Sequence, residues 1–386
     1  MAVAIGVEAL PREEQDCMAQ ELGIGLIGYG AIGRVHALCL KMLPMLYPSL
    51  PLRPKIVAVA SGSTTSTERA RQELGDIFVT TDYRELLQRD DIAVIDCCTP
   101  TGQHAEVAMA VLQAGKQLLC EKPLAATGAE AQAIAQLANE RGLGGGVTYH
   151  LRFIPAIQEA RRLIEGGLLG ELHSFHLHYY RASNLQPDRP LTWRFAGPGS
   201  GVLQDLGSHL LDLVNYLFGP IARVNAQLRT VVPTRLGPEG KPVPVNSDDS
   251  AMLQLKLQDG ALGTIEASKV VPGAADDIRI MAYGSQGSLV FDTLDPNGLL
   301  VVDGPEAAVG GRRISTLSFA VPQPVIIQAE KASGSLQWYL STFEACCRAS
   351  LGETTRLTSF SEAAHVQQVI DAAFASAAAD GAWVTV

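Results

Sequence analysis

The 386-residue sequence has no run of 18 consecutive apolar residues, no CxxC pair and no block of basic residues. The first absence excludes a transmembrane helix of ordinary length. The chain has seven cysteines, which include the adjacent pair Cys97-Cys98. The lack of a CxxC pair among them argues against a disulfide framework or a zinc ribbon and favours free thiols in a reducing cytoplasm. The third, with a net charge of −10, argues against nucleic acid as a partner.

Charged residues are also scarce, at 18%, whereas 47% of the residues are hydrophobic, which is typical of a folded chain. Residues 1–21 precede the first predicted strand. Their apolar start has no positive charge in front of it, so we interpret this segment as an N-terminal extension and not as a signal peptide.

Short apolar runs alternate with helical patterns between residues 22 and 149. The predicted strands are 23–27, 56–60, 93–97, 117–120 and 146–149, and the predicted helices are 31–43, 67–74, 104–114 and 128–141. This alternation predicts an α/β domain of the Rossmann type with a doubly wound parallel sheet.

From residue 150 to 386 the pattern changes to strands without helices between them. The predicted strands are 171–180, 221–231, 250–257, 261–268, 278–283 and 288–291, and the predicted helices are 155–165, 202–217, 336–350 and 361–378. The pattern predicts an α+β domain with an open, mostly antiparallel sheet.

The segment Gly28-Tyr29-Gly30-Ala31-Ile32-Gly33 matches GxGxxG between a predicted strand and a predicted helix. In that context the first glycine allows a tight turn, the second lets the backbone approach a pyrophosphate, and the third lets the helix pack closely. The alternative is a plain βα turn.

An acid that binds the adenosine ribose usually ends the second strand of such a fold. Here Ser61 stands after the strand, and the following residues are Gly, Ser and Thr. A carboxylate at this position would repel a 2′-phosphate, whereas Ser61 would not. The sequence therefore favours NADP over NAD, with Arg69 or Arg71 as candidate partners of the phosphate.

Three polar residues are candidates for chemistry. Lys122, in Glu121-Lys122-Pro123, follows a strand at the edge where open α/β sheets bind ligands. Asp205 and His209 are four residues apart, so a helix would place them on one face, where the carboxylate would raise the pKa of the imidazole. A surface lysine, a helix cap and a core histidine remain the alternatives.

Three histidines in one predicted strand, His173, His176 and His178, suggest a metal site at first sight. Alternation places His173 on the opposite face from the other two, and no acid or cysteine completes a ligand set. We therefore predict no bound metal.

The order of motifs resembles the Gfo/Idh/MocA family of oxidoreductases over about residues 22–380. The motifs are the GxGxxG, Thr99-Pro100 with His104, Glu121-Lys122-Pro123, Trp193-Arg194, and Asp205 with His209 in a Gly-rich stretch. The segments 43–54 and 187–195 are similar to the levoglucosan- and inositol-dehydrogenase-like branch.

The resemblance implies hydride transfer between a secondary alcohol of a sugar, polyol or inositol-like substrate and NAD or NADP. It implies that Lys122, Asp205 and His209 are catalytic. It places Thr99, Pro100, His104, Glu121 and Lys122 beside the cofactor, together with the glycine-rich turn and Ser61. It also implies a homodimer or homotetramer.

The resemblance further implies a substrate pocket, whose residues would be Lys122, His150, Arg152, Trp193, Arg194, Asp205 and His209. His150 occupies a position where many relatives have Asn, so recognition of a substrate hydroxyl can differ here. Two other functions remain open: a glycosidase that retains its nicotinamide, and a non-catalytic regulator that senses the cofactor on the same fold.

Overall fold

The structure is a computed structural model that describes residues 20–186, 188–304, 311–316 and 335–386. The predicted N-terminal extension, residues 1–21, lies outside the described residues except for Gln20 and Glu21. No helix in these ranges is both long enough and apolar enough to cross a membrane. The six cysteines in these ranges are buried and free.

The first half of the chain forms a parallel sheet of six strands in the order β3-β2-β1-β4-β5-β6. The strands are β1 (Gln20–Ile27), β2 (Leu52–Ala60), β3 (Phe78–Thr80), β4 (Val94–Cys97), β5 (Gln117–Cys120) and β6 (Gly145–Val147). The helices are α1 (Ala31–Leu46), α2 (Thr64–Leu74), α3 (Arg84–Leu87), α4 (His104–Gln113) and α5 (Gly128–Arg141). The predicted Rossmann architecture is confirmed, although the sequence reading missed the short β3 and α3.

Helix α1 and strand β2 are both longer than predicted, and they take up most of the segment that the sequence placed between them. Helix α1 runs through Pro44 to Leu46, and β2 begins at Leu52, whereas the sequence predicted an end at 43 and a start at 56. Leu43 and Tyr47 are buried in a cluster with Phe343 of a C-terminal helix, and the Tyr47 hydroxyl lies 3.5 Å from the Ser341 hydroxyl. Burial of these side chains compensates for the backbone bond that a proline removes from a helix.

The second half forms a sheet of nine strands in the order β16-β15-β14-β13-β7-β12-β11-β8-β17. The strands are β7 (Leu172–Tyr180), β8 (Ile221–Arg229), β11 (Ser250–Leu257), β12 (Leu262–Ser268), β13 (Asp277–Gly284), β14 (Gly287–Asp292), β15 (Gly298–Asp303), β16 (Arg312–Ser315) and β17 (Val384–Thr385). Only the pair β7–β12 is parallel, so the predicted open, mostly antiparallel sheet is confirmed. The sequence reading missed β15, β16 and β17.

A separate hairpin occupies a proline- and glycine-rich segment between β8 and β11. Its strands are β9 (Thr234–Leu236) and β10 (Pro242–Pro244). Arg235 points back into the protein, where its guanidinium donates to the carbonyl oxygens of Asn184 and Gln186, at 2.9 and 2.8 Å. The hairpin therefore holds the long loop that follows β7.

The described α-helices of this half are α6 (Pro155–Glu165), α7 (Ser208–Phe218), α8 (Ser335–Ser350) and α9 (Phe360–Ala378). Helix α8 packs on α1, and α9 packs between α5 and β8. The Gly128 amide at the start of α5 donates to the Asp371 carboxylate of α9 at 2.7 Å. Because both C-terminal helices contact the first half, the core is continuous across residue 149. The domain limits 22–149 and 150–386 therefore stay a prediction.

Candidate active site

The glycine-rich turn lies between the end of β1 and the start of α1. Gly28 has a φ of +97°, and a Cβ there would lie 2.6 Å from the carbonyl oxygen of Cys98. A Cβ at Gly33 would collide with the carbonyl oxygen of Gly28. At Gly30, which begins α1 without a side-chain cap, a Cβ would point into open space. The uncapped N–H groups of α1 and this open space fit a pyrophosphate.

A cleft begins at this turn. Its wall includes seven of the residues predicted to bind the cofactor: Gly28, Gly30, Ala31, Ile32, Ser61, Thr99 and Pro100. Gly33 packs beneath the turn and does not line the cleft.

The far end of the cleft is lined by hydroxyl and backbone groups. Among the described residues that line the cleft, Glu106 is the one with a carboxylate. This carboxylate accepts hydrogen bonds from the Tyr83 hydroxyl at 2.9 Å and from Arg84 at 3.0 Å. Neither Arg69 nor Arg71 lines the cleft, and Arg71 pairs with Glu68 at 3.0 Å. The two arginines therefore do not take the place the sequence suggested for them.

A cavity of about 610 Å³ lies between the two sheets and adjoins the cleft. The two spaces share four lining residues: Ile32, Thr99, Trp193 and Arg194. A ligand that spans both would have one part on the glycine-rich turn and the other beside Lys122. This arrangement agrees with the carboxyl edge of an open α/β sheet as the binding edge.

Lys122 and Asp205 meet in this cavity. The Lys122 Nζ donates to Asp205 Oδ1 at 2.6 Å and to the Asp205 carbonyl oxygen at 2.8 Å. Lys269 donates to the other carboxylate oxygen, Oδ2. Burial opposes the charge on Asp205, but the two lysines prevail and hold the pKa of its carboxyl well below its usual range. Asp205 is therefore an ionised acceptor and not a base.

His209 faces the same cavity, but Asp205 does not bond to it. Leu203–Gly207 form a π-helical turn before α7, and the wider turn directs the Asp205 carboxylate toward the lysines. Burial lowers the pKa of His209 well below its usual value, with Lys122 and His150 acting in the same direction. Asp205 raises this pKa, as predicted, but burial and the neighbouring groups outweigh it, so the net shift is downward. His209 is a neutral imidazole, whose Nδ1 lacks a partner among the described residues.

His150 completes the wall next to His209. Its ring stacks on Tyr339 at a centroid distance of 4.2 Å and meets the His209 ring edge-on at 4.9 Å. Burial lowers the pKa of His150 to about 4, so it is also neutral at pH 7. Its Nδ1 is buried and has no hydrogen-bond partner among the described residues. Buried polar atoms are usually hydrogen-bonded, so this nitrogen is a candidate to bind a ligand.

Trp193 and Arg194 stand where the cavity meets the cleft. The Arg194 guanidinium stacks on the Trp193 ring at 4.3 Å, and its Nε lies 3.9 Å from Asp205 Oδ2. Both side chains are partly exposed and line both spaces. Their position fits the prediction that both residues belong to the substrate pocket.

Two predicted residues lie elsewhere. Arg152 is 2% exposed and binds the Asp212 carboxylate through two bonds of 2.8 and 2.7 Å, with a third bond of 3.0 Å to Glu362. It does not line the cavity, so the structure does not support its prediction as a substrate residue. It joins α7 to α9, because a buried guanidinium needs such partners.

His104 lies behind the cleft and does not line it. Its Nδ1 is 2.8 Å from the Pro123 carbonyl oxygen, and its Nε2 is 2.9 Å from the Thr99 carbonyl oxygen. It therefore supports the two loops that carry Thr99 and Lys122, and its predicted direct contact with a cofactor is not supported.

Sequence reasoning missed several residues of the cavity. The main ones are Lys269, Asn184, Asp276, Trp338 and Tyr339. Lys269 directly follows β12. Its position immediately after a predicted strand was the sequence feature that could have identified it as a candidate site residue. Tyr339 carried no signal, since it comes from a helix 130 positions further along the chain than His209.

The strand histidines do not form a metal group in the described part of the chain. His176 and His178 face the open side of the second sheet, where they lie 2.9 Å from the Thr264 hydroxyl and 3.3 Å from Asp277. Buried triplets of metal-binding side-chain types occur at His36, Asp96 and Cys98, and at Cys97, His104 and Cys120. Outside their own triplets, His36 contacts Glu121 through Nε2, and His104 contacts the carbonyl oxygens of Pro123 and Thr99 through its two ring nitrogens. The expectation of no metal stays a prediction.

A family model described as an oxidoreductase family with an NAD-binding Rossmann fold matches residues 22–149, and a GFO/IDH/MocA C-terminal domain model matches residues 157–290. Levoglucosan dehydrogenase of Pseudarthrobacter phenanthrenivorans is 35% identical over 291 residues, which cover 71% of this chain and 74% of that protein. scyllo-Inositol 2-dehydrogenase (NADP(+)) of Bacillus subtilis is 31% identical over 207 residues, covering 53% and 54%.

Among solved structures, a levoglucosan dehydrogenase in complex with NADH and levoglucosan is similar to this chain. The TM-score is 0.87 at 31% sequence identity, and the match covers 95% of this chain and 99% of the other. The likeness therefore includes both sheets and the cavity between them.

Proposed function

Because the chain belongs to the Gfo/Idh/MocA family of NAD-binding oxidoreductases, we propose that it oxidises a secondary alcohol of a sugar, polyol or inositol-like substrate, or reduces the corresponding ketone. The observation that carries this proposal is the meeting of Lys122, Asp205 and His209 in one cavity that adjoins the cleft at the glycine-rich turn.

Lys122 acts on the oxygen of the reacting hydroxyl in this proposal. An ammonium group has three N–H donors, and Asp205 accepts two of them through its carboxylate and its backbone. The third is free to donate to the substrate oxygen and to stabilise the negative charge that develops as its proton leaves. Asp205 holds Lys122 in place through these two bonds.

His209 accepts the proton. Its low pKa keeps the ring neutral at pH 7, so it has a free lone pair. The O–H proton passes to the imidazole and the C–H hydrogen leaves as hydride, so the alcohol becomes a ketone. When bound, the nicotinamide ring supplies the hydride acceptor. Thr99, Pro100 and Glu121 are the residues of this chain that would border it.

The polar lining supports a polyhydroxylated substrate. Neutral His150, Asn184 and Lys269 offer hydrogen-bonding groups to further hydroxyls, and the ring of Trp193 offers a flat apolar wall. The levoglucosan and inositol dehydrogenases among the relatives point to the same substrate class.

We propose that the cofactor site accepts NADP(H) as well as NAD(H), with a weak preference for NADP(H). Ser61 and Ser63 stand where a ribose-binding acid is usual, and one relative is named for NADP(+), although NADH is bound in another. The proposal therefore rests on the absence of a repelling carboxylate at residue 61.

We also propose a homodimer or homotetramer that uses the open face of the second sheet. Met252, Leu262, Tyr283 and Leu300 are exposed there, with exposed fractions of 41–55%. Apolar side chains of this size on one sheet face are typical of an interface. Size-exclusion chromatography with light scattering tests the proposal, and a monomer would contradict it.

The first experiment is a fluorescence titration of the purified protein with NADH and with NADPH, followed by a panel of sugars and inositols with the dinucleotide that binds. Micromolar binding and net formation of reduced dinucleotide are expected. Turnover without net reduced dinucleotide would indicate the nicotinamide-retaining glycosidase. Dinucleotide binding without any turnover would indicate the regulator.

A further inference from the structure

His36 lies beneath the proposed active site, on the buried face of α1, and contacts two carboxylates. Its Nδ1 is 3.0 Å from Oδ2 of Asp96, and its Nε2 is 3.2 Å from Oε1 of Glu121. The side chain is fully buried. Since each ring nitrogen faces a carboxylate acceptor, both nitrogens are placed to donate, which requires the protonated ring.

Glu121 is surrounded by donors. Its Oε1 also accepts from the Thr148 hydroxyl at 2.6 Å, and its Oε2 accepts from the backbone N–H of Lys122 at 3.2 Å. A carboxylate that accepts three hydrogen bonds is ionised. Burial opposes this charge, but the bond to His36 and its positive charge lower the pKa of Glu121 to about 2.

The surroundings of His36 offer no other anion close by among the described residues. Tyr339 and Phe343 of α8 pack against its ring at centroid distances of 5.5 and 4.9 Å. The other titratable groups that face the cluster are four thiols, two phenols, one neutral imidazole and one ammonium: Cys39, Cys98, Cys120, Cys346, Tyr149, Tyr339, His150 and Lys122. Although burial opposes it, Asp96 raises the pKa of His36 well above its usual value.

Glu121 reaches the cavity from this cluster. It is one of the residues that line the space beside Lys122, and it is 7% exposed. The cluster thus connects α1, whose N-terminus forms the pyrophosphate site, to the loop that carries Lys122. The connection runs through the side chains of His36 and Glu121 and not through the backbone of the glycine-rich turn.

We propose that His36 is a positioning residue, a buried imidazolium that fixes the Glu121 carboxylate as an anion at the floor of the nicotinamide site. This inference rests on the proposed function. An anion at this place stabilises the oxidised ring, which carries a positive charge, relative to the reduced ring, which is neutral. The ratio of the dissociation constants for the oxidised and reduced dinucleotide therefore reports on Glu121.

The test measures both dissociation constants between pH 6 and pH 9 without any sugar substrate. The principal variant is His36→Gln with Asp96→Asn, because His36→Gln alone would leave Asp96 as a buried unpaired charge. With its cation removed, Glu121 takes up a proton at a higher pH. As the pH falls from 9 to 6, the oxidised dinucleotide is expected to bind about tenfold more weakly, since burial without its principal cation can raise the pKa of a carboxyl by up to ~3–5 units above its ordinary value, while the reduced form changes little.

Three comparisons make the outcome decisive. Glu121→Gln should weaken binding of the oxidised form to a similar extent at every pH, because its side chain cannot titrate. His173→Gln, at an exposed position on the opposite face of β7 from His176, should behave as the wild type. A double variant whose ratio matches the wild type from pH 6 to pH 9 would overturn the inference. A wild type that binds neither dinucleotide would instead overturn the proposed function.

Two measurements on the wild type remain decisive should the double variant not fold. Spectra of protein with ¹⁵N-labelled histidine should show one ring with both nitrogens protonated at pH 8.5, and their absence would overturn the proposal. Metal analysis should find no stoichiometric zinc or iron. A stoichiometric metal lost on His36→Ala would also overturn it, since a metal-bound imidazole is neutral.

Discussion

Lys122 binds Asp205 twice, once at the carboxylate and once at the backbone carbonyl oxygen. The second bond joins the loop after β5 to the π-helical turn before α7, so the two halves of the chain meet at the atoms proposed to carry the reaction. Removal of Lys122 would therefore affect both the charge and the alignment of the site.

We expect Lys122→Ala to lower turnover by at least about 100-fold and to leave NADH binding near normal, because the donor to the substrate oxygen is lost while the glycine-rich turn is untouched. Steady-state kinetics and NADH titration measure the two effects. Lys241→Ala, at an exposed hairpin lysine paired with Glu239, is the control. Near wild-type turnover would refute the assigned role.

His209→Ala is expected to lower turnover by a similar factor, about 100-fold or more, because it removes the proton acceptor. In the wild type, the pKa of His209 lies well below its usual value, so the base is unprotonated at neutral pH. We therefore expect no loss of kcat/KM attributable to this group between pH 8 and pH 6, and a loss only at lower pH. A decline through an apparent pKa near 6.5 would contradict the buried, neutral state.

Lys269→Met tests the residue that the sequence did not reveal. It removes the cation on Asp205 Oδ2 and leaves Lys122 on Oδ1. We expect KM for the sugar to rise about tenfold with a smaller change in kcat, because one donor to a substrate hydroxyl is lost while the reacting pair remains. Lys269→Arg should recover part of the affinity. A fall in kcat alone would instead make Lys269 part of the proton transfer.

Ser61→Asp is expected to shift the preference toward NAD(H). The new carboxylate would accept from the 2′-hydroxyl of the ribose and would repel a 2′-phosphate. The measurement is the ratio of the dissociation constants for NADH and NADPH, with Ser61→Ala as the matched variant without charge. An unchanged ratio would remove Ser61 from the account of cofactor choice.

Arg152→Leu is expected to destabilise the fold more than it affects the chemistry. It leaves Asp212 as a buried charge without its guanidinium, which costs about 3–5 kcal/mol in free energy of unfolding. Arg71→Leu, which breaks an exposed pair with Glu68, should cost less than about 1 kcal/mol. Denaturant unfolding measures both. A normal stability with a large rise in KM would return Arg152 to the substrate pocket.

The fold could be read from the sequence to a large extent because its signals are local. Helix α6 (Pro155–Glu165) and strands β5 and β11 have the predicted limits, since proline, strand alternation and turn residues act over a few positions. The helix predicted at 202–217 contains a π-helical turn that local periodicity does not reveal. The missed strands β3, β16 and β17 have four residues or fewer and depend on neighbouring strands for their hydrogen bonds.

Of the candidate site, the sequence by itself determined the glycine-rich turn, Lys122, Asp205 and His209, because residue type and spacing along the chain mark them. Only the tertiary structure decided that Lys269 shares the Asp205 carboxylate, that Arg152 and His104 support the site without lining it, and that His209 is neutral. These features depend on which distant segments meet and on how much water remains around a charge. Neither is a property of a short stretch of sequence.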